Sequence, residues 1–222
     1  MKFNYPHLET VPVDGMRFYE TPEGKFYPSI TTVLGGTMSK EKEASLKSWQ
    51  NSLGMTKAMQ VTQDAADHGT AVHLMIERFL KGEQIDQGEK FDSKRVSAFN
   101  ALKTALKKID EVWCQEAALY SDIIEVAGRC DCVGVYKGVP SIIDFKTSMS
   151  IKNNERVEDY RLQLCAYAIM HNEMFGTEIT NGVIIMSSDG GFPQVFNVDL
   201  LEYVDKLMVR VDQFYQKLSS SL

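Results

Sequence analysis

The sequence predicts an α+β (mixed α/β) domain with one central sheet flanked by helices and a helical region ahead of it. Three observations carry this. Between residues 40 and 109 apolar residues recur three and four apart, the period of an amphipathic helix. From 113 to 146 the chain is rich in β-branched and aromatic residues broken by turn signals, as consecutive strands require. Beyond 146 follow a helix, a hairpin and a last helix, an order that places helices around a meander in one layered unit. The length agrees: 222 residues, 44% of them hydrophobic, bury one substantial core. We therefore expect a single domain over 1–222, with a hairpin and helical part over 1–110 and the sheet-bearing core over 111–222.

Taken in order, Met16 to Tyr27 alternates around Pro22-Glu23-Gly24 and reads as a hairpin. Ser39 caps a helix from Lys40 to Leu53, where Leu46, Trp49 and Leu53 share a face and Gly54 is a stop. A second helix covers Thr62 to Leu80, with Val72, Met75, Ile76 and Phe79 on its apolar stripe. Asp92 caps a third helix reaching Ile109. Trp113 to Ser121, Ile123 to Tyr136 and Val139 to Lys146 are the three strands. A helix from Glu155 to Phe175 leads to a hairpin, Gly182 to Ser187 and Phe192 to Val198, turning at Asp189-Gly190-Gly191; the helix Leu200 to Leu218 closes the chain.

The formal net charge of -6 gives no general attraction for polyanions, so any nucleic acid has to be met by a local cation or by metal ions. The four cysteines include no CxxC pair, which fits reduced core residues rather than a zinc knuckle or a disulfide framework. The stretch MKFNYPHLET has no apolar signal core, and no long apolar run follows; a cytoplasmic protein with no membrane contact is expected.

Chemistry concentrates on the second and third strands. Period two puts Asp144 and Lys146 on one face of the last strand and Phe145 on the other. With Lys137 and Gly138 as the centre of a two-residue turn, Tyr136 faces Val139 and the register sets Asp131 opposite Asp144. Opposed carboxylates repel at that separation and call for a cation, and a hard divalent ion held by one or two carboxylates keeps sites for a phosphate oxygen and a water. A solvated strand end is the competing reading of an isolated DxK. His73 shares a helix face with Gly69 and Glu77, and Gln163 and Tyr167 lie four apart on the following helix. Trp49 reads equally as a base-stacking platform or as a core tryptophan.

GTAVH at 69–73, GRCD at 128–131, DFKTS at 144–148 and QLCAY at 163–167 resemble the ordered motifs of RecB-type PD-(D/E)XK nucleases. YPSITTVLGGTMS and CDCVGVYKGVPSIIDFKTSMSIK are further similar to the mitochondrial genome maintenance exonuclease family and its bacteriophage relatives. The resemblance implies a restriction-endonuclease-like mixed sheet. It implies a Mg²⁺- or Mn²⁺-dependent deoxyribonuclease acting as an exonuclease on linear single-stranded DNA, with one or two ions; some RecB-type relatives carry a four-cysteine iron–sulfur cluster, but no cysteine follows Cys165 here and no cluster is expected. A monomer is expected, in a bacterial cell or encoded by a phage. Asp131, Asp144, His73 and the Phe145 carbonyl would hold metal, and Lys146 would attend the water. Glu116 matches a less uniform acidic position of the catalytic set. Gln163 and Tyr167 would lie near the DNA backbone or buttress the site, and Thr147, Ser148, Trp49 and Lys152 would touch DNA. A flap endonuclease and a non-catalytic DNA-binding protein on the same fold are the alternatives.

Two structural expectations follow. Asp131, Asp144 and His73 should converge on one cation-sized site with Lys146 beside it. Because the aspartates are taken as partly solvated and mutually repelling, replacing either by Ala should leave stability in EDTA equal to or slightly above wild type.

Overall fold

The computed structural model describes residues 2–85, 91–153, 157–188 and 193–220. Two sheets form. The smaller is an antiparallel three-stranded meander of β1 (Glu9–Val13), β2 (Met16–Glu20) and β3 (Phe26–Pro28). The β2–β3 hairpin is the expected one; β1 extends it through a tight turn at Asp14 and Gly15, both at positive φ. The larger sheet runs β4 (Ile109–Ser121), β5 (Val126–Tyr136), β6 (Val139–Ser148), β7 (Asn181–Ser188) and β8 (Gln194–Asp199) in chain order. It is mixed because β6 and β7 are parallel while the other neighbours are antiparallel. Parallel neighbours need a crossover, and α5 (Glu158–Phe175) supplies it.

Helices cover both faces of this sheet. On one side α1 (Ile30–Gly36), α5 and α6 (Val204–Ser219) build a core with Val133, Ile142 and Ile184. On the other, α3 (Met55–Leu80) and α4 (Ser93–Leu106) pack Val72, Met75, Ile76, Phe99 and Leu102 against Cys132, Ile143, Phe145 and Ile185. Alternation along β6 thus sends Ile143 and Phe145 toward α3, and Ile142 and Asp144 toward α5. The helix α2 (Lys40–Leu53) buries none of its residues, and Trp49 is half-buried on it.

Several boundaries differ from the sequence reading for local reasons. Ser39 and Asp92 cap α2 and α4 through their side chains as expected. Gly54, at φ 79°, ends α2, but the next helix restarts at once, so α3 begins at Met55 rather than Thr62. Leu106 ends α4, and Ile109 already opens β4. Ile123 belongs to a turn, where the Ser121 hydroxyl accepts from the Ile123 and Ile124 amides and Glu125 sits at φ 51°; β5 starts only at Val126. The short α1, capped by Ser29, was not anticipated. A 3₁₀ turn, Leu200–Tyr203, precedes α6. The Asp189-Gly190-Gly191 turn, Phe192 and the expected helix start at Glu155 fall outside the described residues. Among the described residues no helix is long and apolar enough to cross a membrane.

Candidate metal centre

The β5–β6 turn fixes what stands opposite what. Lys137 (φ 49°) and Gly138 (φ 80°) occupy the left-handed region, as a two-residue turn matched to strand twist requires. Pairing runs from Tyr136↔Val139 to Cys132↔Ile143 and stops there; Asp131 and Asp144 are the next residues on their strands, beyond the last pair. On the other side Gln115↔Cys132 and Ala117↔Cys130 bracket Asp131 opposite Glu116. Glu116 and Asp131 therefore stand in one row across β4 and β5, with Asp144 following the last β5–β6 pair.

The row is not a regular ladder. Glu116 has φ 51°, a conformation that costs a non-glycine residue energy and is uncommon inside a strand. Asp131 Oδ2 accepts from the Phe145 amide at 2.8 Å, so a side chain takes an N–H that a regular ladder would give to a carbonyl. The Phe145 carbonyl accepts from His73 Nε2 at 2.8 Å. A carbonyl can only accept, so Nε2 carries a proton and Nδ1 is the nitrogen turned toward the acids, 3.8 Å from Asp131 and 4.0 Å from Glu116. The ligand atoms of His73, Glu116 and Asp131 all lie within 4.8 Å of one another.

Asp144 departs from the expected convergence. It is buried, 1% exposed, on the α5 side of β6, where Lys146 Nζ donates to Oδ1 at 2.7 Å and lies 2.6 Å from Oδ2. The trio that clusters is His73, Glu116 and Asp131, with Glu116 where Asp144 was expected. The physical reason is charge compensation: Lys146 neutralises Asp144 two residues along its own strand, while His73 and the Phe145 amide serve Asp131. The Phe145 carbonyl, expected as a metal ligand, accepts from His73 Nε2 in this structure. The expectation of unchanged or raised stability on removing Asp144 assumed a partly solvated carboxylate, whereas Asp144 is buried and its removal would strand the Lys146 ammonium.

Electrostatics follow the same grouping. Burial disfavours a charged His73, but the Glu116 and Asp131 carboxylates outweigh it and raise the imidazole above its usual value. Burial pushes the Asp144 carboxyl up, against the pull of Lys146. Burial alone would lower Lys146, but Asp144 and Asp131 hold its proton on and the net shift is upward. The Tyr160 ring centroid is 5.2 Å from Lys146 Nζ, a cation–π distance. Tyr160 was overlooked in the sequence, although it shares a face of α5 with Gln163 and Tyr167 at i, i+3 and i+7.

These residues suit a divalent cation. One imidazole nitrogen and two carboxylates form a donor set for Mg²⁺ or Mn²⁺ class ions, and the second nitrogen of His73 is held by a backbone carbonyl as ligating histidines usually are. Asp144 adds a further buried carboxylate nearby, held by the Lys146 ammonium 2.6 Å from its Oδ2.

The remaining expected residues surround this centre. Gln163 Nε2 donates to the Tyr167 hydroxyl at 3.1 Å, and both are buried, Tyr167 to 2% exposure, so their position is that of a buttress. Gly128 explains itself here: a Cβ would lie 2.8 Å from Tyr167 Cε1. Thr147 and Ser148 line a cavity of about 240 Å³ with α3 and Met149. The Lys152 backbone exchanges hydrogen bonds with the Gln194 side chain at 2.9 and 2.8 Å. Trp49 is on α2, among none of the residues of the centre. The four cysteines are buried and unpaired.

No protein-family model matches the chain. It is 27% identical over 202 residues to mitochondrial genome maintenance exonuclease 1 of Xenopus tropicalis, and 25% identical over 201 residues to that of Homo sapiens. Each alignment takes in 86% of this chain and 58% of the relative, so the chain spans less than two thirds of the length of those proteins. Among solved structures, one assigned as an exonuclease from Eubacterium rectale aligns with a TM-score of 0.48 at 12% identity, over 70% of this chain and 69% of that chain. The curated relatives to which this chain is similar are thus named exonucleases, of mitochondrial genome maintenance.

Proposed function

We propose that the protein is a divalent-metal-dependent nuclease that hydrolyses DNA phosphodiester bonds, acting as an exonuclease on linear single strands. The observation that carries this is the convergence of Glu116 and Asp131 from neighbouring strands with His73, their ligand atoms within 4.8 Å of one another. A structural role explains the row poorly, since opposed carboxylates cost stability and Glu116 also holds an unfavourable backbone angle. The exonuclease names of the relatives support the same reading.

In this reading His73, Glu116 and Asp131, with Asp144 as a further carboxylate beside them, would hold a divalent ion, and that ion would supply Lewis acidity toward a phosphoryl oxygen and a water. The chain's own groups do the rest. Phe145 fixes His73 through its carbonyl and Asp131 through its amide, so one peptide unit orients two ligands. Lys146, kept protonated by Asp144 and Asp131, serves as a donor and counter-charge for the transition state rather than as a base. Gln163 and Tyr167 brace β5 from behind, with Tyr167 packed on Gly128.

End-labelled linear single strands, covalently closed circular single strands and duplex, each incubated with Mg²⁺, test the reading. Linear single strands should be degraded fastest and circles should resist. Equal cutting of the circle would replace the exonuclease by an endonuclease of the flap type, and no cutting of any substrate would reject the nuclease.

A further inference from the structure

Two large openings flank the trio on the side of β4. One, about 620 Å³, is walled by Gly69, His73 and Glu77 of α3. The other, about 710 Å³, runs between β4 and the N-terminal segment 2–7. Glu116 and Arg129 line both, so the two openings adjoin at these residues and together form a groove beside the centre along β4. Arg129 is exposed at the junction and its side chain has no hydrogen bond or ion pair among the described residues, although Glu116 lines the same groove.

We propose that this groove is the track for the nucleic-acid strand beyond the reacting phosphate, and that Arg129 grips the neighbouring phosphate. The inference rests on the nuclease reading of the centre. Three features support it. Arg129 and Asp131 are two apart on β5, about 6.6 Å along a strand, which is comparable with the separation of successive phosphates in an extended polynucleotide. A guanidinium presents paired donors that match a phosphate in a way an ammonium does not. With a net charge of -6 the chain offers no diffuse attraction, so a phosphate leaving an acidic centre needs a cation placed beside it. Arg129 thereby offsets the repulsion that Glu116, Asp131 and Glu77 impose on the incoming strand.

The test uses a fluorescent single-stranded oligonucleotide in EDTA across a salt series, then cleavage in Mg²⁺, for wild type, Arg129→Ala, Arg129→Lys and the control Lys107→Ala at the end of α4. Arg129→Ala should weaken binding about tenfold, the loss expected of one charge-assisted contact, and flatten the salt dependence by about 0.7 in log–log slope. Arg129→Lys should keep the slope and recover part of the affinity, and the control should match wild type. In cleavage, KM should rise more than kcat falls. A neutral methylphosphonate one linkage from the scissile bond, on one side only, should reproduce the loss in wild type and add nothing in Arg129→Ala. Wild-type affinity and slope in Arg129→Ala, or full additivity with the methylphosphonate, would overturn the track. If cleavage by wild type still depends on Asp131 in that case, the nuclease reading survives; if wild type neither binds nor cleaves, both fall.

Discussion

Replacing Asp144 by Ala would leave the Lys146 ammonium, whose side chain is 19% exposed, facing a hole in the sheet with no hydrogen-bonding partner on its own strand. Breaking one side of a buried ion pair costs about 3–5 kcal/mol. The low end, about 3 kcal/mol, applies here because Lys146 keeps some solvent contact and still feels Asp131. In a domain of this size that lowers Tm by roughly 6–12 °C. Lys146→Ala strands the opposite charge on a carboxylate only 1% exposed and should cost at least as much. The double variant Asp144→Ala/Lys146→Ala removes both charges, so its loss should be well below the sum of the singles, with a coupling of about 2 kcal/mol or more. Thermal and urea melts of the four proteins in EDTA measure the cycle. Single variants that melt within a degree of wild type, or a double variant that is simply additive, would refute the claim that the pair is a buried unit.

Gly128→Ala should lose about 1–3 kcal/mol, since its Cβ would sit 2.8 Å from Tyr167 Cε1 and 3.3 Å from Ile30 Cγ2 with no room to yield; an unchanged urea midpoint would count against this packing. His171 is fully buried, and burial lowers its pKa to about 4. A depressed histidine is neutral in the fold, while the unfolded chain takes up the proton near 6.5, so stability is complete above about pH 6.5 and falls as pH drops toward about 4. His171→Gln should flatten that acid limb in pH-dependent urea melts, and an unaltered slope would contradict the assignment. His73 acts with the opposite sign: its raised pKa contributes stability below about 6.5 that is lost as pH rises through its folded value. His73→Asn should therefore steepen the net loss of stability toward acid, and a flatter profile would mean its imidazole is not charged in the fold.

How much of this was legible depends on whether a feature is set locally. Ser39, Asp92 and the Lys137-Gly138 turn act through neighbouring backbone, and from them the caps and the β5–β6 register from Tyr136↔Val139 to Cys132↔Ile143 could be read. The row of acids was harder. Glu116 comes opposite Asp131 only through the β4–β5 pairing, whose register shifts lie at Ile109/Glu111 and Val112/Cys114, and no residue in that stretch announces them. Nor does DFK itself say that Asp144 is deeply buried; that depends on α5 covering its face of β6, a contact with residues far along the chain. The left-handed backbone of Glu116 has no sequence signal either, since glycine or asparagine would be the usual occupant. The role of Gly128 was hidden for the same reason, because Tyr167 reaches it from another element.

The central claim, that Glu116, Asp131 and His73 form a divalent-cation site, is tested most directly by calorimetric titration of Mn²⁺ into the protein stripped with EDTA. Wild type, Asp131→Asn, Glu116→Gln and Lys107→Ala should be compared in two buffers of different ionisation enthalpy. Wild type and Lys107→Ala should bind alike and release a proton, because His73, raised by the two carboxylates, must surrender it to become a ligand. Each acid variant should bind at least about tenfold more weakly, as loss of a ligand or its support does elsewhere. A flat wild-type titration, or acid variants that bind as wild type does, would contradict the site.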